Sequence, residues 1–272
     1  MGPHPLRALD ERVLPRLARG LNRLGVLGGL AVAGVVAVVA TAVLASGQAP
    51  PPDDTVGEVV RVGAVEGDRV SPYADRAGAE LRSLVSSGTG ETYALVSLLG
   101  YATPTGVLPV LTDVDTVRVF VRLPVPGVQT AIESFGVRTP AADIPAAMAR
   151  IAEERETGAA DDERTAARLS GERPEERELK RFYTESARLD RAEAGAYRQG
   201  CACVYAVVVR ATPVRLAQLA GRPGVRVVDP APEVRRLDRT VFLPLLPEQT
   251  TVVAPPPDRS LPAEPLGTPR PG

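Results

Sequence analysis

The longest apolar stretch of the chain runs from Leu24 to Ala45, LGVLGGLAVAGVVAVVATAVLA, 22 residues without a charge between Arg23 and Ser46. As a helix rising about 1.5 Å per residue it would extend roughly 33 Å, enough for a hydrocarbon core of about 30 Å. No equally apolar partner segment follows to bury it, so the pattern predicts a single transmembrane helix over 24–45. Two other readings stay open: a cleaved secretory signal ending near Ala45-Ser46-Gly47, and a helix hidden in a large core. Gly25, Gly29, Ala33, Ala37 and Thr41 recur every four residues within the stretch. That line of small side chains is where a second helix could pack.

Residues 46–55 carry consecutive prolines and read as a stiff spacer. From Val56 the pattern changes to short elements. VGEVVRVGAV predicts a strand, Glu66-Gly67-Asp68 a turn, and Ser71-Pro72 a helix start, with serine as cap and proline in the first turn. Ala77, Leu81, Leu84 and Val85 form that helix's apolar stripe. Tyr93 to Tyr101 is almost wholly apolar and predicts a buried strand. Val117, Val119 and Val121, alternating with Arg118, Phe120 and Arg122, predict a half-exposed one. GVLPVL between them is either a brief helix or a crossover loop.

A second stretch, 203–232, repeats this order: a strand over Tyr205 to Arg210, a helix from Thr212-Pro213 to Ala220, and a strand over Val225 to Val228. Tyr93-Ala94 matches Tyr205-Ala206, Ala102-Thr103-Pro104 matches Ala211-Thr212-Pro213, and Val117-Arg118-Val119 matches Val225-Arg226-Val227. The distance from ATP to VRV is 15 residues in one copy and 14 in the other. Two β-α-β-like units are expected, each too small to bury its own sheet face and so paired in one mixed sheet. Between them, 140–198 reads as a charged helical insertion. In its last helix Leu179, Phe182, Tyr183, Ala187 and Leu189 recur at three- and four-residue spacing. This is either a solvated hairpin lying on the sheet or an arm that docks on a partner through Leu179, Phe182 and Tyr183. The composition break on both sides predicts that 155–198 can be excised without unfolding the layer. Val241 to Leu246 predicts a final edge strand, and the proline-rich tail 255–272 is expected to be disordered.

Charge sets the expected topology. Before the apolar stretch five arginines oppose Asp10 and Glu11, whereas the residues after it carry 27 basic against 31 acidic groups. The basic segment 1–23 is therefore expected in the cytoplasm and the α/β domain, 56–254, outside it. The expected localisation is the cell membrane, with one pass and an extracytoplasmic C-terminal domain. No block of basic charge suggests nucleic acid as a partner. Lys180 is the only lysine, and the bias toward arginine, alanine, glycine and proline suggests a high-GC bacterium.

Candidate chemistry is sparse. His4 is the only histidine and precedes the apolar stretch, which leaves the rest of the chain without a Ser-His-acid arrangement or a cysteine-histidine zinc cluster. Ser86 to Gly90 lacks the lysine of a phosphate loop. Asp113/Asp115 and Asp161/Asp162 are the acid pairs that could divide acid and base roles. Cys201 and Cys203 are a candidate disulfide. In an extended strand their Cα atoms would stand about 6.5 to 7 Å apart, so the bridge needs a turn at Gly200. Reduced buried thiols, a bridge between chains and a redox or metal site are the other readings. No cofactor is expected. The expected function is that of a non-catalytic, membrane-anchored interaction or scaffold protein of the bacterial envelope. Its expected partners are the lipid bilayer, another envelope or membrane protein, and a second copy of the chain. The alternative is a carboxylate-dependent envelope enzyme acting on glycan.

Overall fold

The computed structural model describes residues 59–88 and 90–256. Its elements are, in order, β1 (Val60–Gly63), α1 (Val70–Ser87), β2 (Thr92–Ala102), a 3-10 turn (Leu108–Leu111), β3 (Asp115–Val121), β4 (Glu133–Gly136), α2 (Pro140–Arg168), α3 (Pro174–Arg198), β5 (Val204–Ala211), α4 (Pro213–Ala220), β6 (Val225–Ala231), a 3-10 turn (Leu237–Arg239) and β7 (Thr240–Leu243).

The stretch 24–45, with Gly25, Gly29, Ala33 and Ala37, lies outside the described residues. Among the described residues no helix is long and apolar enough to cross a membrane. The physical reason is composition: α2 and α3 have the length, at 29 and 25 residues, but line their outer faces with arginine and glutamate. The expected fold class is corrected accordingly to a mixed α/β domain. The bilayer as a partner, the single-pass cell-membrane placement and the membrane-anchored envelope function are corrected with it, since no described helix supports them.

Five strands form the main sheet in the order β4-β3-β5-β2-β6. Each unit of the sequence repeat, β2 with β3 and β5 with β6, leaves a gap of one strand between its own two, and a strand of the other unit fills it. The result is two interleaved units in a split β-α-β arrangement. Every pairing in this sheet is antiparallel, so the expected mixed sheet is corrected. The only parallel pairing among the described strands joins β1 to β7 in a separate two-stranded sheet.

Strand alternation divides the core. Ala94, Val96, Val119, Val121, Val207 and Val209 face the helices, against Ile144, Met148, Ile151, Tyr197, Leu216 and Leu219. On the other face Leu95, Phe120 and Val208 pack under Val62, Phe242 and Leu246 of the β1–β7 pair and the segment after it. That second cover explains why β3 is not half-exposed: Phe120 and Arg122 are buried. Helix α1 begins at Val70, one residue before Ser71, and has no side-chain cap. It ends where Gly88 turns left-handed, with φ 65°.

Helices α2 and α3 form an antiparallel hairpin joined through Gly171, whose φ is 75°. Asp143 accepts the Arg138 and Thr139 amides at 2.7 and 2.8 Å and so fixes the entry to α2. The seam is built from alanine at seven-residue spacing, Ala152, Ala159 and Ala166 on α2, Ala187 and Ala194 on α3, all buried. Small residues at this period let the two helices run side by side closely. Gly158 belongs to the same seam, because an added Cβ would stand 2.8 Å from an Asp190 carboxylate oxygen. The root of the hairpin is core: Ile144, Met148, Ala196 and Tyr197 share one cluster with the sheet. Excising 155–198 would remove Ala196 and Tyr197 from that cluster.

Candidate functional site

The hairpin changes character along its length. Between Ala187 and Tyr197, α3 buries Ala187, Glu193, Ala194, Ala196 and Tyr197. From Pro174 to Phe182 it has no buried residue. There Leu179 is 43% and Phe182 63% exposed. Tyr183 is half-buried and meets the Phe182 ring edge-on, with centroids 5.5 Å apart. Leu179, Phe182 and Tyr183 thus lie on the unburied part of α3, with Phe182 and Tyr183 in contact, whereas Ala187 is buried and Leu189 packs against the core. The loop below them is tied down by Lys180 Nζ donating to the Leu169 carbonyl at 3.3 Å, and by Arg177 donating to the Glu172 carbonyl at 2.7 Å.

Ion pairs run along the hairpin. Arg191 of α3 binds Glu156 at 2.6 Å and Glu163 at 2.7 Å. At the root, Arg155 lies between Glu193, at 2.8 Å, and Glu133 of β4. Glu193 is only 2% exposed. Burial pushes its pKa up to about 7, against the opposing pull of Arg155. Asp190 next to it is also shifted upward, again chiefly by burial. A carboxylate titrating near neutrality is what a general acid requires, but these groups sit between two helices and an edge strand and line neither of the two cavities formed around Arg122.

The other acid candidates are dispersed. Asp113 occupies a left-handed turn, with φ 60°, and Asp115 is exposed at the start of β3. Asp161 pairs with Arg164 on the surface of α2. Ser86 and Ser87 donate to the Arg82 and Leu84 carbonyls of their own helix, both at 3.0 Å, rather than facing a phosphate site. None of these acids lines either cavity formed around Arg122, so nothing among the described residues supports the glycan-enzyme alternative. Among the described residues no three histidine, cysteine, aspartate or glutamate side chains are grouped to hold a metal ion.

Cys201 and Cys203 are joined to each other, with Cα atoms 5.3 Å apart. The approach is closer than a strand allows because Gly200 adopts φ 70° and the chain bends at Ala202. The bridge lies at the α3–β5 junction, where the Cys203 amide donates to the Ala102 carbonyl at 3.1 Å.

A second feature has no counterpart in the sequence pattern. Arg122, just after β3, is 2% exposed. Its Nη1 donates to the Tyr101 hydroxyl at 2.9 Å and to Glu248, and its Nη2 to the Val128 carbonyl at 3.1 Å. Tyr101 in turn donates to the other Glu248 oxygen at 3.0 Å. Alternation along β3 predicts a solvated face for Arg122, whereas its partner Glu248 lies 126 residues further along the chain. No protein-family model matches the chain, and no curated protein or solved structure shows detectable similarity to it.

Proposed function

We propose that this α/β domain is a non-catalytic protein-interaction module that presents the far end of its α2–α3 hairpin to a partner, with Leu179, Phe182 and Tyr183 as the contact. The observation that carries the reading is Phe182, 63% exposed and already packed against Tyr183 on a regular helix. Exposed aromatic side chains carried on a regular helix are the kind of anchor that dominates interface energetics. Charges of both signs flank it, with Glu178, Lys180 and Arg181 exposed beside the ring. The matching partner surface is an apolar pocket with a mixed-charge rim.

Site-specific photocrosslinking in expressing cells tests this. Benzoylphenylalanine at position 182 of the full chain is expected to give one discrete protein adduct that disappears with Leu179→Asp. The same probe at Thr157, exposed on α2, is expected to give none. Equal labelling from both positions, or no adduct from position 182, would overturn the proposal.

A further inference from the structure

The face of the sheet opposite the helices carries a cleft of about 470 Å³ whose walls include Phe120, Tyr205, Phe242, Leu246 and Val253, with Arg122 as the cation among them. A second cavity of about 500 Å³, lined by Tyr101, Pro124, Pro126 and Pro247, reaches Arg122 and Glu248 from the other side. Volumes of this size fall within the range of about 300 to 1,000 Å³ usual for small-ligand sites, which are mostly apolar with a few placed polar groups.

Arg122 is fixed from three directions, and the three partners differ in kind. Tyr101 belongs to β2, and the Val128 carbonyl to the loop before β4. The Arg122 backbone amide is itself held by the Cys203 carbonyl at 2.9 Å. Those contacts come from the frame of the domain. Glu248, in contrast, stands on the turn after β7 and its side chain is 42% exposed. It supplies the one carboxylate that the buried guanidinium has in this group, and a guanidinium taken out of water requires such a partner. Another carboxylate reaching Arg122 through the second cavity, which Tyr101, Arg122 and Glu248 line together, would satisfy the same donors, Nη1 and the Tyr101 hydroxyl, while Glu248 moves into solvent that it already faces. Arginine recognises the planar carboxylate, and Pro124, Val125, Pro126 and Pro247 would enclose the apolar rest of the molecule.

The geometry points to Arg122 and Tyr101 as the recognition pair of a binding site for monocarboxylates with an apolar body, in which Glu248 occupies the ligand's place until it is displaced. The site is on the sheet face away from the hairpin's packing surface and does not depend on the proposed partner contact. A free aryl- or alkyl-carboxylic acid and the C-terminal carboxylate of an apolar peptide share this chemistry.

Titration calorimetry on the full chain separates them and tests the site. The probes are 4-phenylbutyrate, its primary amide, and a tetrapeptide ending in phenylalanine with a free or an amidated C-terminus. At least one of the two free carboxylates is expected to bind and neither amide to do so. Stronger binding of phenylbutyrate assigns the site to free acids, and stronger binding of the peptide assigns it to polypeptide C-termini. Glu248→Gln, which keeps the shape of the side chain and removes the competing charge, is expected to tighten binding at least tenfold. Arg122→Gln is expected to abolish it. Should the latter variant fail to fold, Glu248→Gln decides alone, because the glutamine keeps an oxygen that accepts from Arg122 Nη1. Equal binding of acid and amide, unchanged or weaker binding with Glu248→Gln, or no binding of either carboxylate would overturn the assignment.

Discussion

The two halves of helix α3 differ although they belong to one uninterrupted element. Between Ala187 and Tyr197 the helix is part of the domain: alanines meet the α2 seam, Tyr197 enters the sheet core, and Glu193 is enclosed with Arg155. Between Pro174 and Tyr183 no side chain is buried, and Leu179 and Phe182 point outward. A helix of 25 residues is about 37 Å long, and its distal part, from Pro174 to Tyr183, contributes no buried residue to the core. Regular secondary structure thus extends beyond the core that stabilises it, and the apolar residues on that extension are available for contact rather than for folding.

Substitutions along the hairpin sharpen this contrast. Ile144, fully buried at the root, is predicted to have the largest effect. Ile144→Ala should destabilise the domain by about 2 to 5 kcal/mol in urea unfolding, since it leaves a cavity against the sheet. Ala159 lies midway, fully buried in the seam. Ala159→Leu should cost about 1 to 3 kcal/mol by forcing the helices apart, with helicity of the distal half reduced in circular dichroism.

Glu193 adds a dependence on pH whose sign follows from its raised pKa. A carboxyl whose folded-state pKa lies above its unfolded value stabilises the fold fully below the unfolded value and loses that contribution as pH rises through the folded one. The window therefore runs from about pH 4.5 to about pH 7. Over it the wild-type chain should lose up to about 3 kcal/mol that Glu193→Gln retains. Unfolding midpoints measured at pH 5, 6, 7 and 8 check this. A variant whose pH profile parallels the wild type would remove Glu193 as the source. The smallest effect belongs to the tip: Phe182→Ser should change stability by no more than about 0.5 kcal/mol. A loss comparable to that of Ile144→Ala would make Phe182 a core residue and break the comparison.

How much of the fold and the site is legible in the sequence depends on whether the deciding partner is local. The elements β5, α4 and β6 follow from valine-rich runs and from Thr212-Pro213 as a helix start, and the structure places them at Val204–Ala211, Pro213–Ala220 and Val225–Ala231. The repeat points to two related units but cannot specify that β5 inserts between β2 and β3, because alternation fixes which face a residue occupies and not which strand lies beside it. Arg122 looks solvated in the sequence for the same reason: its cover, from Phe242 to Gln249, arrives late in the chain. The hairpin seam does leave a signal, the seven-residue spacing of Ala152, Ala159 and Ala166. The surrounding charges mask it, because they weaken the apolar period on which helix assignment relies. Grouping Leu179 and Phe182 with Ala187 in one stripe treats α3 as uniform along its axis, which it is not.

Native-state hydrogen exchange along α3 of the full chain tests the division of the helix most directly. Amides from Ala187 to Tyr197 are predicted to exchange only through opening of the whole domain, with free energies that fall in step with global stability when urea is added. Amides from Glu178 to Tyr183 are predicted to exchange at least a hundredfold faster, through local opening that urea scarcely changes. Uniform protection along the helix would contradict the account, since it would show that the distal half is held by the same core as the root.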